Sequence, residues 1–202
     1  MKTPHKVLLL VVAAVFVWSY IGCHDRFTWF LEIFPILLAL PVLAYTYRRF
    51  PLTDLLYVLI AVHAVILMVG GHYTYARVPL FDWIREAFEL SRNHYDKVGH
   101  FAQGFVPAIL TREILLRTTP LRRGKMLFFL VVSVCLAISA AYELLEWSVA
   151  EISGSGADDF LGTQGDIWDT QKDMAWCLVG SLVSLLSLSR LHDRLLRSLP
   201  HD

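Results

Sequence analysis

The chain has 202 residues, 56% of them hydrophobic, with a mean hydropathy of +0.52 and equal numbers of basic and acidic side chains, 18 of each. That is too apolar for an ordinary soluble domain of this length and places the chain in a membrane. No nucleic-acid partner is expected, and Cys23, Cys135 and Cys177 are too scattered for a disulfide framework or a CxxC metal site.

Apolar runs fall at 7–22, 27–47, 55–75, 98–116, 126–150 and 174–188, against the roughly 20 residues that a helix needs to span a bilayer. Six helices in a single bundle covering 1–202 are therefore expected, the first and last being the shortest. Lys2 and Lys6 ahead of an apolar run ending in Ile21-Gly22-Cys23 resemble a lipoprotein signal, but Tyr20 stands where an aliphatic residue is usual and five spans follow. The segment reads as an uncleaved first helix. Pro51, and Pro120 with Gly124, mark two short turns that suit antiparallel neighbours. Between the third and fourth spans, Leu80, Phe81, Ile84 and Phe88 repeat at helical spacing opposite Asp82, Arg85, Glu86 and Glu89, as in a helix lying on the membrane surface.

Charge placement sets the expected orientation. With six spans, 12 of the 18 basic residues fall on the side of the termini, so the positive-inside rule puts both termini in the cytoplasm. Of the 18 acids, only Asp54, Glu113, Asp193 and Asp202 share that side, which leaves an acidic cluster on the outer face.

Three constellations carry candidate chemistry. The first opens the fourth span: Asp96, Lys97 and His100 lie three and four residues apart, so one helical face can present a carboxylate, an ammonium and an imidazole. Asp96 can also be a helix cap. His100, about a turn inside the boundary, needs a partner in either protonation state. The second is Glu143 with Glu146 near the outer end of the fifth span, two carboxylates on one face that either bind a cation, share protons, or lock the bundle against a neighbouring cation.

The third runs from Gly154 to Asp173 and holds five aspartates, of which Asp166, Asp169 and Asp173 line one face if helical. Asp169 or Thr170 can cap the last helix, but capping does not account for all five. The order of residues is not that of an EF-hand, and no zinc spacing occurs, so a hard divalent cation (Mg²⁺, Mn²⁺ or Ca²⁺) is the expected ion, with Asp166, Asp169 and Asp173 as candidate ligands. His72 and Glu32 are further candidates near the outer boundary, while His63 reads as a packing histidine hydrogen-bonded between helices.

Together, the run His94 to Phe101, the segment 142–147 and the aspartates between Asp158 and Asp173 resemble the YjdF family of bacterial inner-membrane proteins over essentially the whole chain. The resemblance implies an inner-membrane location and carries no established activity. The core is also similar to VanZ-like membrane proteins, whose D-K-x-x-H-F opening is matched by Asp96, Lys97, His100 and Phe101. Their D-x-x-x-N-x-x-G pattern is matched only by Asp169, with Asp173 at the asparagine position and Trp176 at the glycine position, and the P-G-R element is absent. VanZ-like proteins are associated with glycopeptide resistance, so this second resemblance implies the cell envelope as the setting.

The expected function is accordingly an activity at a periplasm-facing pocket, in contact with membrane lipids and acting on a lipid-linked or envelope substrate. His100, Glu143, Glu146 and Asp169 are the candidate catalytic groups, and Lys97, Asp96 and His72 the candidate substrate-binding groups. A proton- or cation-coupled transporter is the second reading, although neither an inverted repeat nor a pair of broken helices is evident. The third is a non-catalytic scaffold in which these groups satisfy one another.

Overall fold

The computed structural model describes residues 2–153 and 163–199. Among them are seven helices: α1 Thr3–Tyr20, α2 Arg26–Thr46, α3 Asp54–Tyr73, α4 Pro79–Ala87, α5 Tyr95–Thr118, α6 Lys125–Ser153 and α7 Asp169–Arg197. Local chemistry explains several boundaries. Pro4 occupies the first turn of α1, where its missing N–H costs nothing. Asp25 caps α2 by accepting from the Thr28 N–H at 2.7 Å, and this bond holds the Asp25 carboxyl below its ordinary range. Thr74 ends α3 in the left-handed conformation, with φ at +56°.

Five of these helices are long and apolar enough to cross a membrane: α1, α2, α3, α6 and α7. The remaining expected span, the fourth, is α5, which has 24 residues, about 36 Å at the usual helical rise. Its hydropathy is lowered by Asp96, Lys97, Arg112, Glu113 and Arg117, and position explains why it tolerates them. It is the central helix, packed on α3, α6 and α7, with Asp96, Arg112 and Glu113 buried against protein. The last helix runs well beyond the expected 174–188, because charged turns extend it at both ends where hydropathy gives no signal. The short α4 leaves Leu80 and Trp83 exposed, as is Phe88 at its C-cap.

The two most closely packed helices are α5 and α7. They run parallel, for Asp96 meets the start of α7 and Arg112 meets His192 and Asp193 near its end. Glycine makes the approach: a Cβ on Gly104 would overlap the carbonyl oxygen of Cys177, and one on Gly180 would overlap that of Phe101. In lipid, where apolar burial between helices gains little, close backbone contact and interhelical hydrogen bonds supply the association. Ser184 donates to the Phe105 carbonyl at 2.6 Å, and the Cys135 thiol of α6 reaches the Gly104 carbonyl at 3.7 Å. On the other flank, α1 and α2 pack on α3 around Trp29, Ile33, Ile36, Ala64 and Met68, and Trp29 Nε1 donates to Ser19 Oγ at 3.0 Å.

The bundle has two chemically distinct ends. The first and last described residues lie at the basic one, where Lys2 and His5 bond Asp54 and Arg123 bonds Asp193. A buried network closes this end. Glu113 accepts from the Thr53 hydroxyl at 2.8 Å, from Arg117 at 2.9 Å and from His192 Nε2 at 2.9 Å. Because Arg112 can only donate, the Nδ1 of His192 that it meets at 2.8 Å accepts, which puts the His192 proton on Nε2. Glu113→Gln should therefore lower the thermal midpoint in detergent, by an amount equivalent to about 1–3 kcal/mol for lost charge-assisted bonds. An unchanged midpoint would mean that the network does not hold the helices.

Candidate functional site

At the opposite end, parallel packing brings the amino-terminal turns of α5 and α7 side by side, and the segments that enter them are stitched together. The Asn93 N–H donates to Gln164 Oε1 at 3.1 Å, and Gln164 Nε2 returns a bond to the Asn93 carbonyl at 2.9 Å. Gln164 thus pairs with residue 93 as another strand's backbone would. Asn93, fully buried, also donates to the Val78 carbonyl and accepts from the Tyr95 N–H, tying in the chain before α4.

Beside this clamp Arg92 is buried between the two helices. It is hydrogen-bonded to Asp96, donates to Asp169 at 2.5 Å and to the Thr163 carbonyl at 3.0 Å, and lies 3.6 Å from Asp166. Burial opposes its charge, but the bond to Asp169 and the charges of Asp96, Asp169 and Asp173 outweigh that and hold its proton more tightly than usual. Asp166, outside the helix, accepts from Lys172 at 2.5 Å and from the Trp168 N–H at 3.1 Å, and these bonds lower its pKa.

One turn further in, the contacts lengthen. Lys97 Nζ sits 3.9 Å from Asp96, 3.9 Å from Asp169 and 3.7 Å from Asp173. His100 Nδ1 is 3.7 Å from Glu143 of α6, and its Nε2 is 3.9 Å from Asp173. Among the described residues, Lys97 Nζ, Glu143 Oε1 and Asp173 Oδ1 are buried without a hydrogen-bond partner. His100 Nδ1 has the Gln103 amide oxygen at 3.3 Å. With Nδ1–H donating there, the Nε2 lone pair faces the Asp173 carboxylate, an arrangement that needs a proton or a cation between them. Asp96, His100, Gln103, Asp169 and Asp173 border a cavity of about 210 Å³ that continues past Glu32, Tyr75, Tyr142 and Glu146 to His63, halfway along α3.

The structure therefore gathers Asp96, Lys97, His100, Glu143, Asp169 and Asp173 from three helices, with Glu146 on the same cavity. Two other candidates lie elsewhere. His72 bonds the Ser19 carbonyl at 3.0 Å and stacks on Trp18, so it faces α1. Asp166 precedes α7 and pairs with Lys172, so the expected trio Asp166, Asp169 and Asp173 is not the set that converges. Capping also differs: His94 and Trp168 occupy the cap positions of α5 and α7, with Asp96 and Asp169 inside the first turns. Asp158 and Asp159 lie outside the described residues.

Two sets of three groups have ligand atoms all within 4.8 Å of one another: His100, Glu143 and Asp173, and Asp96, Asp169 and Asp173. The second already contains the Lys97 ammonium and the Arg92 guanidinium. The first combines an imidazole with two carboxylates, each of which has an unbonded buried oxygen. Arg92, Asn93, Gln103 and Gln164 escaped the sequence reading. Helical spacing offers a signal for two of them, four residues between Arg92 and Asp96 and three between His100 and Gln103, and none for Asn93 or Gln164.

No solved structure matches the chain significantly. Residues 4–194 match a family described as a predicted membrane protein, DUF2238. The chain is 53% identical over 188 residues to the inner membrane protein YjdF of Escherichia coli (strain K12), covering 93% of this chain and 90% of that protein. An all-helical bundle with five apolar spans and a central polar helix, matched along nearly its whole length, is thus a multi-pass inner-membrane protein, and the chain belongs to the YjdF (DUF2238) family.

Proposed function

We propose that the protein is a membrane-embedded enzyme that binds a divalent cation at its acidic end and acts on a lipid-linked or other envelope substrate at the periplasmic face. The basic end, where the first and last described residues lie, is then cytoplasmic by the positive-inside rule, as both termini would be. The observation that carries this reading is the group of buried, unbonded polar atoms on Lys97, Glu143 and Asp173 around His100, of which Asp173 and His100 line a cavity that would admit a head group. Charge points the same way. Among the described residues, five carboxylates here (Asp96, Asp166, Asp169, Asp173 and Glu143) face three fixed cations (Arg92, Lys97 and Lys172) and the titratable His100, an excess of negative charge that favours protons or a cation.

Glu143, Asp173 and His100 Nε2 would hold the ion, and an imidazole in the set favours Mn²⁺ over Mg²⁺ or Ca²⁺. The ion would polarise a phosphoryl or carbonyl oxygen of the substrate. Lys97, 3.7 Å behind the cavity-lining Asp173, would meet a substrate phosphate that reaches it, Glu146 would take or return a proton inside the cavity, and Arg92 would fix Asp96 and Asp169.

The test is Mn²⁺ binding by the purified full chain, followed by calorimetry. Glu143→Gln and Asp173→Asn should each weaken binding at least tenfold while leaving the metal-free thermal midpoint near that of the parent. Absence of Mn²⁺ binding by the parent, or variants that lose abundance in step with binding, would replace this reading with a structural lock. Extension of the cavity to His63, with Glu32 and Glu146 along it, favours a second reading as a proton- or cation-coupled transporter. Proteoliposomes separate the two: an enzyme converts envelope lipid extract on the bilayer, whereas a transporter carries protons or cations across it.

A further inference from the structure

The basic end holds a second and larger cavity, of about 620 Å³, between the last turn of α5, the α5–α6 connection and the end of α7. Four arginines line it, Arg117, Arg122, Arg123 and Arg197, alternating with Leu116, Leu121, Leu196 and Leu199. The nearby carboxylates among the described residues are already committed. Glu113 is held by Arg117, His192 and Thr53, and Asp193 by Arg112 and Arg123. Arg117 is fixed further by the Pro51 carbonyl at 2.7 Å and by stacking 3.6 Å over the Phe50 ring. Arg122 and Arg197 are exposed and have no carboxylate partner among the described residues, Arg197 reaching only the Asp193 carbonyl at 3.3 Å.

Uncompensated guanidinium groups around a cavity call for an anion, and their planar donor fork matches phosphate oxygens. The leucines call for an occupant that is also apolar. Along the same helices Ile114, Met126, Phe129 and Leu191 are exposed, which puts the cavity at the edge of the lipid-facing surface. We propose that this cavity binds the phosphate head group of an anionic phospholipid, with the adjoining glycerol and upper acyl chain against the leucines. It is separate from the acidic-end site and does not depend on the function proposed there.

Native mass spectrometry of the detergent-solubilised full chain tests this with three probes: phosphatidylglycerol, phosphatidylethanolamine and inorganic phosphate. Phosphatidylglycerol should be retained in preference to phosphatidylethanolamine. The double variant Arg122→Gln/Arg197→Gln should bind it about 25-fold more weakly, on the order of fivefold per arginine, with an unchanged thermal midpoint in lipid-free detergent. If that variant is unstable, Leu199→Asp at the chain end must give the same selective loss. Equal retention by parent and variant, or no preference for the anionic lipid, would overturn the proposal. Displacement of the lipid by millimolar inorganic phosphate would also overturn it, by assigning the cavity to a free anion.

Discussion

Arg92→Leu should destabilise the folded protein by about 3–5 kcal/mol, the range for removing one partner from a buried ion pair, and lower its thermal midpoint in detergent accordingly. The guanidinium is 4% exposed and joins Asp96 of α5 to Asp169 of α7, while also bonding the Thr163 carbonyl. Its loss strands two buried carboxylates. Arg92→Lys should recover only part of the midpoint, since a point charge with three donors cannot serve all these acceptors in one plane. Combining Arg92→Leu with Asp169→Asn should be less harmful than Arg92→Leu alone, because one stranded charge is removed. His100→Ala is the informative contrast: its nearest polar neighbour is at 3.3 Å, so it should leave the midpoint close to that of the parent. A large drop for His100→Ala, or none for Arg92→Leu, would reverse the division between the groups that hold the site together and those that face its cavity.

Gly104→Val should separate α5 from α7 and remove the acidic-end site along with stability. A side chain at 104 runs into the carbonyl oxygen of Cys177, and one at 180 into that of Phe101, so the obstacle on both sides is backbone that cannot rotate away. Ordinary overpacking costs about 1–3 kcal/mol, and a backbone obstacle places this change at or above the top of that range. The folded fraction recovered by size-exclusion chromatography should fall for Gly104→Val and for Gly180→Val. Any Mn²⁺ binding should fall further than the folded fraction, because the ligands come from both helices and from α6. Ser187→Ala, on the exposed side of α7, should change neither quantity. Retained folding with Gly104→Val would mean that the close approach of the two helices is not what aligns Asp96 with Asp169.

Much of the bundle was legible in the sequence because hydropathy reports directly which side chains meet lipid. Exposed Leu10, Leu38, Val42, Phe129 and Leu186 are the residues from which the spans are read. The same measure understates α5, whose buried charges face protein, and shortens α7, whose polar turns carry Asp169 and Asp173 at one end and Arg194 at the other. Within the site, Asp96, Lys97 and His100 were readable because helical spacing puts them together. Which of Asp166, Asp169 and Asp173 would join them depended on where α7 begins, and spacing alone could not place that boundary. His72 had the right depth but the wrong direction. Glu113 and His192, 79 residues apart, give no local signal, and their pairing emerges only when α5 and α7 run parallel.

The parallel pairing also has a consequence for biosynthesis. Ribosomes deliver α5 to the membrane before α6 and α7 exist, so this weakly hydrophobic helix enters without Asp169, Asp173 or His192. Arg92 and Asp96, one turn apart, can neutralise each other at that stage, whereas Arg112 waits for Asp193. Chains that terminate before Asp169 should therefore leave α5 poorly anchored in the bilayer and open to quality-control proteolysis, and the final helix acts as the catch that retains the middle one.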